Sequence, residues 1–237
     1  MVSPFEFASA ARILFGVGAI HQLAGLAAEH GRRALVVTGR DPTRVAPVLR
    51  DIQSAGLTTT VFTVAGEPST ADAERGVAIA RAADCELVIA IGGGSVVDAG
   101  KAISAMCTQP GDLMRYIEVI GEGKPLEASP LPYIAVPTTA GTGAEATRNA
   151  VIASTEHRVK ASLRHISMLP RVALIDPELA ADVPPSVTAA SGMDALTQCL
   201  EAFVCSRAQP MTDALCLDGI QRAIRSIEHA FQNGHDL

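Results

Sequence analysis

The sequence predicts an α/β fold: a parallel sheet flanked by helices, followed by an all-α segment. Two observations carry this. Short apolar runs of strand length alternate with segments of helical spacing, the pattern of chains that wind a parallel sheet. Of the 237 residues, 48% are hydrophobic and only 3% aromatic, so the core has to be built from Ala, Val, Leu and Ile, the usual filling of strands buried on both faces.

Taken in order, Phe5-Glu6-Phe7 and Arg12–Phe15 are read as a short antiparallel pair. Ala34–Thr38, Thr59–Val64, Leu87–Ile91, Tyr133–Val136 and Val172–Ile175 are read as strands. Thr43–Ala55, Thr70–Ala83 and Ser95–Met106 are read as the helices between them. The character changes at Asp182-Val183-Pro184-Pro185-Ser186, where Ser186 is the expected N-cap of a helix. Beyond it Leu217, Ile220, Ile224 and Ile227 fall on one expected helical face. The expected organisation is an α/β domain over residues 1–182 and a helical domain over 183–237. So short a helical part buries a core poorly alone, so further residues are expected to belong to the natural protein.

Composition narrows the function. The net charge is −6, and no block of Lys and Arg marks a nucleic-acid surface. No apolar run reaches the roughly 18 to 20 residues of a membrane span, and the first residues lack the basic start and apolar centre of a secretion signal. A cytoplasmic protein with no nucleic-acid or membrane partner is expected. The five cysteines, Cys85, Cys107, Cys199, Cys205 and Cys216, are odd in number and scattered, and read as reduced thiols.

Three segments carry chemistry. Gly92-Gly93-Gly94-Ser95 follows an apolar strand and opens a helix. Glycines let a backbone approach a phosphate, and the first helical N–H groups and the dipole then face it. The pattern is not GxGxxG, and a tight turn without a ligand explains the glycines as well. Asp98 and Lys101 put polar groups in the same first turns, although Asp98 could instead complete a capping arrangement with Ser95. Pro137–Glu145 follows the next strand and gathers Thr138, Thr139, Thr142, Gly141 and Gly143, hydroxyls and open N–H groups suited to a pyrophosphate or ribose. Ligands of parallel sheets bind at the carboxyl ends of strands, where both loops lie. In Ser191–Glu201, Asp194 and Gln198 share one helix face, able to touch one ion or simply to face water.

In this order and at these separations, GGGSxxDxxK, PTTAGTGxE and GxDALTxxxE resemble the iron-containing (group III) alcohol dehydrogenase family, over nearly the whole chain. The resemblance implies a Rossmann-like dinucleotide-binding domain and a helical domain holding a divalent metal, Fe or Zn, with NAD or NADP as cofactor. It implies that Gly93, Gly94 and Ser95 contact the cofactor's phosphates, that Thr138, Thr139 and Thr142 hold its pyrophosphate and ribose, that Lys160 approaches the ribose, and that Asp194 is a metal ligand; Asp98, in the same first turns, is counted with the cofactor-binding residues. The family usually has His four residues after that Asp; here it is Gln198, a weaker amide-oxygen ligand that prefers harder ions. NAD-preferring members often carry an acid just after the first strand. This chain has Gly39 followed by Arg40 there, which leaves room for a 2′-phosphate, and Asp41 could still serve the ribose.

The implied activity is interconversion of an alcohol and an aldehyde or ketone by hydride transfer, with a small-molecule substrate and a homodimeric assembly. Val159–Pro170 also looks like the maleylacetate reductases of the same superfamily, which implies a metal-independent keto-acid reductase as the alternative. A nucleotide-binding module without catalysis is a third reading. A dehydroquinate-synthase-like lyase shares the architecture, but its Glu and two His are not found here.

Overall fold

A computed structural model of the chain describes residues 4–236. They form two compact units, one of Ser9–Thr138 with Ala144–Asp176, the other of residues 4–8, 139–143 and 177–236.

The first unit contains β1 (Ile13–Phe15), α1 (Leu23–Ala28), β2 (Arg33–Thr38), α2 (Ala46–Ser54), β3 (Thr58–Thr63), α3 (Thr70–Ala82), β4 (Leu87–Gly92), α4 (Gly94–Met106), β5 (Tyr133–Pro137), β6 (Asn149–Ser154), β7 (Val159–Arg164) and β8 (Val172–Ile175). Six strands make one parallel sheet in the order β1-β8-β5-β4-β2-β3. Every residue of β4 and β5 is buried, as a parallel strand covered on both faces requires, and this is why both read as unbroken apolar runs. The helix starts are chemically specified. Ser69 caps α3 by accepting from the Asp72 N–H while the Asp72 carboxylate accepts from the Ser69 N–H, a reciprocal box that satisfies two end donors.

Helix α4 is a middle layer. On one side it packs with the sheet, where Val96, Val97, Ala99 and Ile103 meet Val88, Ala90, Tyr133 and Ala135. A Cβ on Gly100 would lie 2.7 Å from that of Ala90, so only glycine lets the helix lie this close. On its other side Ala102, Ala105 and Met106 meet Ala150, Ile152, Ala161 and Leu163 of an antiparallel hairpin, β6 with β7.

That hairpin was not expected. Its buried positions in β6 are Ala150, Ile152 and Ser154, an alternation too weakly apolar to signal a strand. The N-terminal expectation is corrected. Residues 5–7 form no strand, and β1 pairs in parallel with β8, Ile13 opposite Ala173. Completing the edge of a buried sheet stabilises three residues more than an isolated two-stranded ribbon does.

The second unit contains α5 (Glu178–Ala181), α6 (Pro185–Phe203) and α7 (Pro210–Gln232). Gly192 faces Ile227 and Gly219 faces Cys199, which sets α6 and α7 antiparallel. The N-cap of α6 is Pro184, not Ser186, because Pro185 already has the backbone angle of a first helical residue. The inner face of α7 runs through Cys216, Ile220, Ala223, Ile227 and Ala230. Leu217 and Ile224, expected there, are exposed, the latter by 64%. Spacings of three and four fit two neighbouring faces of one helix, and the structure chooses the one offset from the larger side chains. Among the described residues no helix is long and apolar enough to cross a membrane.

Candidate functional site

Strands β5, β4 and β2 are neighbours, and their carboxyl ends carry three of the expected segments. Gly39 follows β2, Gly93-Gly94-Ser95 follows β4, and Thr138 follows β5. Gly92 stands opposite Pro137 in the ladder, and the Thr138 N–H donates to the Gly92 carbonyl at 3.0 Å. The two loops therefore leave the sheet side by side and are stitched together at their roots. Gly93 is the N-cap of α4 and no side chain caps that helix; the Val96 N–H already donates to the Gly93 carbonyl, so it is the N–H groups of Gly94 and Ser95 that are left as donors for an anion. Asp98 does not cap Ser95.

Beneath this turn lies a buried polar cluster. Lys101 is 1% exposed. Its Nζ donates toward the carbonyls of Ala144 at 2.6 Å, Thr147 at 2.8 Å and Asn149 at 2.9 Å, and toward Thr147 Oγ1 at 3.0 Å. An ammonium has three N–H groups, so all are used. The segment it grips is the one that brings the threonine loop back into the sheet unit. Asp98, one turn earlier, accepts from the Val151 N–H of β6 at 3.1 Å, and Tyr133 in β5 donates its hydroxyl to the Val97 carbonyl at 2.7 Å. Burial pushes the Asp98 carboxyl up to about 6 against the pull of Lys101. Burial likewise pushes Lys101 down to about 8, opposed by Asp98 and Glu145, and raises Glu145. Asp98 and Lys101 keep their charges at neutral pH at a cost that their hydrogen bonds offset.

The remaining expected residues are placed as follows. A Cβ on Gly39 would meet nothing within 4 Å, so its smallness is no packing need. Asp41 Oδ1 accepts from the Thr43 N–H and hydroxyl, which lowers its carboxyl and commits that oxygen to capping the next turn. Lys160 on β7 forms an ion pair with Glu67. Ala153, its partner in the hairpin, bridges to Ser69 just beyond Glu67. Thr139, Gly141 and Thr142 belong to the helical unit. There Gln198 donates from Nε2 to Asp194 Oδ2 at 2.9 Å and to the Gly141 carbonyl at 3.3 Å. Among the described residues no group of three His, Cys, Asp or Glu could hold a metal. His229 and His235 are exposed beside Asp236 and Asp182. Sequence reasoning missed Glu67 and the grip of Lys101; the only hint of the latter was a lysine three residues after Asp98 in an otherwise apolar helix.

Residues 10–177 match the family described as iron-containing alcohol dehydrogenase, and residues 188–237 match its C-terminal part, described as Fe-containing alcohol dehydrogenase family, C-terminal. The chain belongs to the iron-containing alcohol dehydrogenase family. It is 40% identical to a probable alcohol dehydrogenase, EutG, of Salmonella typhimurium, over 81% of this chain and 48% of that protein. It is 37% identical to long-chain-alcohol dehydrogenase 1 of Geobacillus thermodenitrificans, over 96% of this chain and 60% of that protein. Among solved structures it superposes with a TM-score of 0.91 on sulfoacetaldehyde reductase of Bifidobacterium kashiwanohense, in complex with NAD+, at 31% identity over 99% of this chain and 62% of that one. The chain thus spans between about half and three fifths of the length of these family members. The sheet unit and the antiparallel helices have the family's architecture.

Proposed function

We propose that this chain belongs to an NAD(P)-dependent oxidoreductase that interconverts an alcohol and an aldehyde or ketone. The observation that carries the reading is the pair of loops at the carboxyl ends of β4 and β5, joined through Thr138 and Gly92 and flanked by the open position at Gly39. The dehydrogenase names of the relatives and the NAD+ complex of a structural neighbour support it.

When bound, the nicotinamide supplies or accepts the hydride. The chain's own groups position it. Gly93, Gly94 and Ser95 offer N–H donors to a phosphate at the start of α4. Thr138, Thr139 and Thr142 offer hydroxyls and N–H groups to the pyrophosphate and ribose, and Lys160 offers a cation to the ribose side. Asp98, turned into the buried cluster, holds the hairpin against α4 and so supports the site from below. Gly39 with Arg40 favours NADP over NAD, since neither excludes a 2′-phosphate.

The residues at the expected metal position do not make a site for Fe2+ or Zn2+ as arranged. Asp194 is a suitable ligand, but the Gln198 side chain turns an N–H, not its oxygen, toward that carboxylate. No step is assigned to a metal. The same hydrogen bond favours the second reading, a metal-independent reductase of keto acids such as maleylacetate. A homodimer is supported by the exposed apolar side chains of the sheet edge at β1, Ile13 and Phe15, since unpaired edges pair readily with another chain. The cytoplasm is the proposed compartment.

Titration with NADH and NADPH by fluorescence, followed by absorbance assays with panels of alcohols, aldehydes and keto acids, tests the reading. Binding of either cofactor with turnover of alcohols or aldehydes is the expected result. Turnover confined to keto acids and indifferent to chelator moves the assignment to the second reading, and failure to bind either cofactor overturns both.

A further inference from the structure

The Gln198 side chain lies between two oxygen atoms. Its Nε2 reaches Asp194 Oδ2 on the same face of α6 and the carbonyl of Gly141 in the threonine loop. The approach of loop to helix does not depend on that amide alone. A Cβ on Gly141 would lie 2.5 Å from the Ser191 carbonyl oxygen, so only a bare backbone fits against the helix one turn before Asp194. A carboxylate oxygen and a carbonyl oxygen within reach of one point can be bridged by a cation, by a water or by a group with two N–H donors, and here the side chain already at that point is a carboxamide, which has two such donors.

We infer that Gln198 is a positioning residue that docks the loop 139–143 onto α6, its amide occupying the place a cation would otherwise take between Asp194 and Gly141. Turning the amide over would set three acceptors against one another with no donor among them. A metal gained at this pair would therefore cost the dock. This rests on the proposed role of the loop in holding the cofactor, and it adds that the loop is ordered without a divalent ion.

The test uses the 237-residue chain and three readouts: bound metal by mass spectrometry with Co2+ titration by visible absorbance, hydrogen exchange of peptides covering residues 139–143, and NADH affinity by fluorescence, each with and without chelator. The wild-type chain is expected to hold far less than one equivalent of metal, with loop exchange and NADH affinity indifferent to chelator. Gln198→Ala is expected to speed loop exchange and weaken NADH binding roughly fivefold each, the worth of one lost hydrogen bond. Gln198→Glu keeps the shape but removes the donors. It is expected to speed exchange as well, and Co2+ is expected to reverse the effect because two carboxylates and a carbonyl now face each other. One equivalent of metal in the wild-type chain, whose removal loosens the loop, overturns the inference. So does unchanged loop exchange in both folded variants. A chain that binds neither NADH nor NADPH yet shows the exchange changes sinks the cofactor reading and leaves the dock supported.

Discussion

The two polar constellations of this protein are built in opposite ways. Lys101 and Asp98 lie inside, where three backbone carbonyls hold the ammonium and one backbone N–H holds the carboxylate. Asp194 and Gln198 lie at the surface of α6 and depend on a single carboxamide. Inside, removal of one partner leaves uncompensated polar groups that water cannot reach. Outside, water replaces what is lost. The first arrangement fixes a backbone, and the second can be rewritten by one substitution, which is where the chain departs from its family's pattern.

The contrast predicts a ranking of effects. Lys101→Met keeps the length of the side chain but strands three carbonyls and the Asp98 carboxylate. It should cost about 3–5 kcal/mol of unfolding free energy in urea titration. A loss under about 1 kcal/mol would mean that water enters the cluster and that the inside is no different from the outside.

The pH profile comes next. The folded Asp98 carboxyl sits near 6 against 3.8 for an ordinary one. The folded state therefore binds its proton more tightly, and this contribution to stability is full below about pH 4 and lost as pH rises to about 6. Lys101, pushed down to about 8, binds its proton less tightly when folded, so stability recovers as pH rises from about 8 toward 10.5. Asp98→Asn should flatten the acid limb, a change on the order of 2–3 kcal/mol across that window. An acid limb identical in the variant would assign the slope to other groups.

Smaller effects are expected at the open positions. Gly39→Asp has space for its side chain and should leave stability unchanged while moving the ratio of NADH to NADPH affinity roughly tenfold toward NADH, the value of one charge-assisted hydrogen bond. An unmoved ratio would place the ribose elsewhere than at the end of β2. Least of all, Glu67→Gln breaks an ion pair whose two side chains are each 58% exposed, and melting should register no more than about 0.5 kcal/mol. A larger loss would show that the hairpin needs this tie.

What was legible in the sequence follows the same division. The strands of the sheet were readable because burial on both faces forces apolar runs, and the two loops because a strand end, glycines and hydroxyls occur together. The hairpin was hidden because its inward positions are Ala, Ile and Ser, and because Lys and Arg flank it. Lys101 was hidden because a lysine reads as solvated unless its acceptors are known, and those come from residues 43 to 48 positions away. The inner face of α7 was missed by one position, since Leu217 and Ile224 carry the stronger apolar signal yet remain exposed. At Asp194 and Gln198 the spacing was readable, but the direction of an amide is decided only by what it faces.

The sandwiching of α4 between sheet and hairpin has a consequence for time as well as for place. Ten of its thirteen residues are buried, so beyond its open first turn its amides can meet solvent only when both neighbouring layers open. Segments of this kind exchange by global unfolding, not by local fluctuation. If the proposed phosphate sits at the start of α4, it meets a helix whose body from Val96 onward is already held in place, and binding there has little conformational entropy left to surrender.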